Sequence, residues 1–199
     1  MTTSGDITGF PAPGLRDPFR YVTGHDGSGN SIFVQTDHGD HRAIMVEGAA
    51  AQAIFYSTGE NPVEVNGNTD MEFVKTRPSL HIPNGCVVRM IDFAPGVESN
   101  LHRALCIGIG TVCEGEMELS LDSGEKRIMH PGDVSVNRGA MHRWRNVSKD
   151  KPARMLYVLL DVKPIIVNGK ALEFDLGYLE HEYADYEGAE DGTEKVNET

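Results

Sequence analysis

Between residues 85 and 146 the chain twice follows a Pro-Gly turn with a short strand-like run that carries a histidine. The first piece is Pro95-Gly96-Val97-Glu98-Ser99-Asn100-Leu101-His102-Arg103, running on into Glu114-Gly115-Glu116-Met117-Glu118-Leu119. The second is His130-Pro131-Gly132-Asp133-Val134-Ser135-Val136, followed by Gly139-Ala140-Met141-His142-Arg143-Trp144-Arg145-Asn146. Proline has no amide hydrogen to give a ladder and glycine takes positive φ without strain, so each Pro-Gly reads as a turn. Turns this frequent leave room only for short strands, and many short strands predict a sandwich or barrel.

The rest of the chain carries the same punctuation. Strand candidates run over Ser31–Gln35, Arg42–Val46, Gln52–Ser57, Val87–Phe93, Thr111–Leu121, Lys126–Met129, Asp133–Val136, His142–Val147 and Ala153–Val162. Pro11-Ala12-Pro13-Gly14 and His25-Asp26-Gly27-Ser28-Gly29-Asn30 are turn chemistry, so residues 1–30 read as an extended N-terminal arm. Residues 31–165 then form a single β-barrel with its motif core at 85–162, and residues 166–199 a C-terminal segment. Helix is scarce, the best candidate being Leu172–Tyr183. The predicted class is all-β, with an N-terminal strand extension and a short helical, acidic C-terminal tail.

Charge and composition remove several functions. The net charge of -12 disfavours nucleic acid, whose phosphates reward clustered Lys and Arg. From Glu180 to Thr199 eight acidic residues face one lysine, which marks a solvated tail. No apolar run approaches the roughly 18 residues of a membrane span. The start, Met1-Thr2-Thr3-Ser4-Gly5-Asp6, has no basic or apolar leader, so no secretory signal is expected. The 3 cysteines, Cys86, Cys106 and Cys113, cannot all pair, and free thiols point to a reducing, cytoplasmic setting. The sequence contains no Gly-x-Ser-x-Gly elbow, phosphate loop or dinucleotide fingerprint.

The two turn-and-histidine pieces, with the Pro131-Gly132-Asp133-Val134 turn and Gly139-x-x-His142-x-x-x-Asn146, resemble the cupin superfamily, a jelly-roll-like barrel around a pocket. The narrower resemblance is to small single-domain cupins of fungal and bacterial secondary-metabolite clusters, carried by Arg89-Met90-Ile91-Asp92-Phe93-Ala94-Pro95-Gly96. The resemblance implies a homodimer. It also implies a metal held by three histidines and a carboxylate, and here that set is broken. His102 and His142 stand at two ligand positions, but Ala104 occupies the second histidine position and Gly108 the acidic one. The expected cofactor is therefore none or one divalent transition metal on His102 and His142, with Cys106 and Glu98 as candidate extra ligands. Cys106 shares strand parity with His102 in a regular segment.

Without its metal the pocket retains other chemistry. Alternation places Trp144 and Asn146 on the His142 side, while Arg89 and Tyr157 sit mid-strand among apolar neighbours, inward or outward. The alternative for Trp144 is core filler, and for Asn146 a turn-end tie. Two imidazoles neutral near pH 7 suit proton transfer. His25, His38, His41, His81 and His130 lie at turns or among polar residues. Cys113 is expected on the outer face against a covering strand, and Glu114, Glu116 and Glu118 along a solvated hairpin edge. The leading expectation is an enzyme acting on a small, aromatic or polyketide-like metabolite by isomerisation, dehydration, cyclisation or decarboxylation. His102 and His142 would be base and acid, Trp144 an apolar wall, and Arg89 or Tyr157 an oxyanion partner. A metal-dependent oxygenase and a non-catalytic small-molecule binder are the alternatives.

Overall fold

The structure is a computed structural model describing residues 5–183. Strands account for nearly all of its regular structure: β1 Arg20–His25, β2 Ser31–Asp37, β3 Asp40–Met45, β4 Ala50–Thr58, β5 Cys86–Phe93, β6 Cys106–Glu114, β7 Met117–Leu121, β8 Lys126–Met129, β9 Val134–Arg138, β10 His142–Asn146, β11 Ala153–Asp161, β12 Ile166–Val167 and β13 Lys170–Ala171. They pair antiparallel into a six-stranded sheet, β3-β4-β5-β11-β6-β9, and a three-stranded sheet, β10-β7-β8. β1 and β2 form a separate hairpin across the end of the N-terminal arm. The all-β expectation holds, as a jelly-roll-like pair of facing sheets rather than a cylinder hydrogen-bonded all round.

The small sheet gains a fourth, irregular edge from the first histidine segment. Ser99 N–H donates to Trp144 O at 2.9 Å, and His102 and His142 exchange backbone hydrogen bonds at 2.8 and 2.9 Å. The two turn-and-histidine pieces therefore lie side by side in space, and their register sets the histidines opposite each other.

Alternation explains where the core sits. The inner faces of the two sheets meet through Ile54, Val87, Val112, Met155 and Tyr157 on one side and Met117, Met129 and Trp144 on the other. The large sheet is buried on its outer face too, where Ile7, Phe10 and Ala12 of the arm pack on Ala51, Ala53 and Ala94. Small alanines let the arm approach β4 closely. Asp92, fully buried on that face, accepts the Ala12 amide at 2.7 Å and both Nε and Nη2 of Arg154 at 2.6 and 2.8 Å.

Some expectations meet corrections. The run Thr111–Leu121 is two strands in different sheets, broken at Gly115 with φ +79°. The Leu172–Tyr183 helix contracts to 3-10 turns at Gly177–Glu182, because Asp175 pairs its backbone with Arg103 and Leu172 bonds Ile165. The short helix α1, Thr69–Phe73, gave no signal in the sequence. Glu118 is not a solvated edge: it is buried and pairs with Arg145 and Lys126, and Arg145 first of all holds its carboxyl at about 2. Cys113 does lie on the outer face, but exposed and uncovered. Residues 184–199, most of the acidic tail, lie outside the described residues. Among the described residues no helix is long and apolar enough to cross a membrane.

Candidate active site

A cavity of about 130 Å³ lies between the two sheets. An apolar cavity of roughly 150 Å³ holds a benzene molecule, so this one accommodates a single ring with substituents toward the mouth. β6 leaves room for it by being narrow on its inner side: of its inward positions Cys106, Gly108, Gly110 and Val112, two are glycine, and Cys106 and Gly108 line the cavity. A Cβ on Gly110 would stand 3.0 Å from the Tyr157 ring and 3.1 Å from Ser135 Oγ, so glycine there seats the tyrosine flat against β6. Register then places Arg89, Tyr157, Gly110 and Ser135 in one row across β5, β11, β6 and β9.

The opposite wall is a line of rings. His102 and His142 have centroids 4.2 Å apart, His142 meets Trp144 edge-on at 6.0 Å, and Trp144 meets Tyr157 edge-on at 5.9 Å. Each imidazole is fixed by a backbone carbonyl: His102 Nδ1 lies 3.0 Å from Asn100 O and His142 Nδ1 2.9 Å from Ala140 O. A carbonyl only accepts, so both Nδ1 atoms carry the proton, and the Nε2 lone pairs remain for the pocket. Burial lowers the pKa of both rings. His142 is pushed down to about 4 by desolvation first and by the neighbouring His102 second. Both rings are neutral at pH 7.

Arg89 faces inward and is 1% exposed. Its Nη1 donates to Gln52 Oε1 at 3.2 Å and to Tyr183 Oη at 3.1 Å, and its Nη2 to Ser79 O and Leu80 O at 2.8 and 2.9 Å. Its Nε has no partner. Arg89 is the one permanently charged side chain among the described residues lining the cavity. Tyr157 also faces inward, donating to Met155 Sδ at 3.0 Å, and burial raises its pKa well above the usual phenol range.

The mouth is covered by a C-terminal strap that sequence reasoning missed. Leu176, Tyr178, Leu179 and Tyr183 line the cavity. The strap is tied down by Asn100, whose amide nitrogen donates to Tyr178 Oη at 3.0 Å and whose Nδ2 donates to Leu176 O at 2.8 Å. A Cβ on Gly177, at φ +55°, would collide with the Asn100 amide, so the close approach requires glycine. Only the apolar spacing at Leu176 and Leu179 hinted at this role.

The structure thus brings together His102, His142, Trp144, Tyr157, Arg89 and Cys106 around one cavity. It does not bring in Asn146 or Glu98. The Asn146 amide ties the carbonyls of Phe93, Ala94 and Lys151 at 3.4, 3.0 and 2.8 Å. Glu98 pairs with Arg143 and Arg145. Ala104 and Gly108, at the two altered ligand positions, both line the cavity.

The donor set does not fit a stably held divalent ion. The described residues contain no cluster of three or more His, Cys, Asp or Glu able to hold one. Two neutral imidazoles bring no negative charge, and burial pushes the nearby Cys106 thiol up to about 11, away from the thiolate a metal takes.

Fold and site together define a jelly-roll protein with a small, nearly apolar lumen, an imidazole pair on one wall and a buried guanidinium on the other. The Cupin domain family matches residues 89–159. The chain is 73% identical over 190 residues to the cupin-domain-containing oxidoreductase srdB of Neurospora crassa, covering 96% of this chain and 97% of that protein. It is 52% identical over 171 residues to the cupin-domain-containing oxidoreductase virC of Hypocrea virens, covering 84% and 88% of the two chains. Phomopsin biosynthesis cluster protein C' of Diaporthe leptostromiformis is 41% identical over 165 residues, with 81% and 87% covered. The chain belongs to the cupin family.

Proposed function

We propose that this protein is a cupin enzyme that moves a proton on a small, ring-bearing metabolite held in the barrel. The observation that carries the reading is the imidazole pair, with both Nδ1–H groups committed to backbone carbonyls and both Nε2 atoms left as bases in an apolar cavity. One Nε2 takes a proton from a carbon or hydroxyl of the substrate. The same Nε2–H then returns that proton to a second substrate atom, while the neighbouring ring, its centroid 4.2 Å away and its own Nε2 unprotonated, accepts a hydrogen bond from the substrate. Trp144 supplies the flat apolar wall, and the strap with Leu176 and Tyr178 keeps water from the reacting atoms. Isomerisation, dehydration, cyclisation and decarboxylation all reduce to these steps. The name of the Diaporthe relative, a biosynthesis cluster protein, supports a metabolite substrate.

A second reading is a metal-dependent oxidoreductase. It draws on the name oxidoreductase carried by the Neurospora and Hypocrea relatives and on the Nδ1 locks, since a carbonyl on Nδ1 also orients an imidazole toward a metal. One experiment separates the two. Turnover of a panel of small aromatic carbonyl compounds is measured on chelator-treated protein and after adding Fe(II), Mn(II), Ni(II) or Zn(II). Activity that survives chelation and falls about 100- to 10,000-fold in His142→Ala fits general acid-base chemistry. Activity that needs added metal and consumes oxygen refutes it in favour of the second reading.

A further inference from the structure

Arg89 is a buried charge that takes no part in the proton transfer. Arg89 lies in the cavity wall, 1% exposed, and no carboxylate among the described residues pairs with it. The chain's other deeply buried arginines are treated differently: Arg20 has Asp37 and Asp40, and Arg154 has Asp92. An uncompensated cation in a low-dielectric wall is costly, and a counter-charge is worth most there. The four hydrogen bonds it makes go to neutral oxygens. They orient the guanidinium without neutralising it, and Nε keeps an unused hydrogen.

Tyr183 shows how an oxygen reaches this group. Its ring lies 5.2 Å from the Arg89 guanidinium carbon and its hydroxyl 3.1 Å from Nη1, at the end of the strap that covers the mouth. It is the one partner of Arg89 delivered from that strap; Gln52 comes from β4, and Ser79 and Leu80 from the loop before β5.

We infer that Arg89 anchors a carboxylate on the substrate, and that this carboxylate takes the place of the Tyr183 hydroxyl on Nη1. This rests on the reading of the lumen as the substrate pocket, and it narrows the substrate to a compact aromatic acid. The carboxylate docks against β5, and the ring lies along Trp144 toward the imidazole pair. No other described residue lining the cavity offers a permanent positive charge, so the anchor fixes which end of the molecule faces the histidines.

The test needs no knowledge of the substrate, because the chain's 1 tryptophan is in the cavity wall and reports on it. Trp144 fluorescence is followed while benzoate, or its neutral isostere benzamide, is titrated into the full-length protein. Wild type is expected to bind benzoate about ten-fold or more tightly than benzamide, the preference a charge-assisted hydrogen bond gives. Arg89→Gln should bring benzoate down to the benzamide level. Tyr183→Phe should tighten benzoate several-fold more than it tightens benzamide, and it decides the matter if Arg89→Gln does not fold. Equal binding of both probes by wild type overturns the anchor while leaving the pocket itself standing. So does a benzoate preference that survives Arg89→Gln, or an unchanged ratio in Tyr183→Phe. A protein that responds to neither probe overturns both the anchor and the pocket.

Discussion

Replacing Asp92 with alanine should cost the protein about 3–5 kcal/mol. Asp92 is 0% exposed, and it receives three hydrogen bonds, two from Arg154 and one from the Ala12 amide. Alanine leaves the Arg154 guanidinium, itself 3% exposed, as a buried cation against Phe10, with the Arg16 carbonyl at 2.6 Å as its remaining hydrogen-bond partner. It also orphans the Ala12 amide, so the arm loses its deepest polar tether. A loss of that size is a large part of the roughly 5–15 kcal/mol that keeps a domain folded. At about 2–4 °C per kcal/mol for a chain of this length, Tm should fall by about 6–20 °C. Urea unfolding followed through Trp144, with limited proteolysis of the arm, measures both effects. The double variant Asp92→Leu/Arg154→Met should recover most of the loss, because it removes both charges rather than stranding one. If Asp92→Ala costs less than about 1 kcal/mol, or the double variant is as unstable as the single one, the reasoning from stranded charge is wrong.

Other expectations follow from the same geometry. His142 is held near pKa 4 in the folded chain against 6.5 for a free histidine, so the unfolded state binds more protons in between. Stability from this group is complete above about pH 6.5 and is lost as pH falls toward 4, up to about 3 kcal/mol, and that slope should shrink in His142→Gln on urea titration at several pH values. Gly110→Ala should force Tyr157 or Ser135 to shift, costing about 1–3 kcal/mol and lowering Tm by several degrees in a thermal melt. Ala104→His with Gly108→Glu should raise metal content toward one ion per chain by elemental analysis. A Cβ at 108 meets only ordinary contacts, at 3.5 Å from Leu159 and 3.7 Å from Asn137, so the backbone there accepts a side chain.

Much of this site was legible because strand parity is a local signal. The alternation that sets His142 and Trp144 on one face follows from the two-residue period of a strand, and the structure keeps it for both. Cys106 also lines the lumen, but from β6 of the other sheet: the chain bends at Leu105 after His102 pairs with β10, so strand parity with His102 is not what places it. Asn146 shares the parity of His142 but sits past the lumen, where the chain turns, and its amide is drawn to three carbonyls. The inward placement of Arg89 and Tyr157 depended on which face of β5 the arm would cover, and that is set by Ile7, Phe10 and Ala12 from far along the chain. Periodicity within β5 carries no trace of it. The strap was hidden for a related reason: its hold on the mouth comes from Asn100 and Gly177, a fit between single residues rather than a pattern. Glu118 looked solvated among other glutamates because its partners Lys126 and Arg145 lie on neighbouring strands.

Proton transfer in this lumen requires a neutral, metal-free imidazole pair, and a long-range nitrogen–proton NMR spectrum of histidine-labelled protein at pH 7 reads that state directly, with His102→Gln and His142→Gln as assignments. Both rings should appear as neutral tautomers protonated at Nδ1, with Nε2 shifts typical of a free lone pair. A ring protonated at both nitrogens, or an Nε2 whose shift is that of a metal-bound nitrogen in protein as purified, would contradict the proton-transfer site described for this cupin.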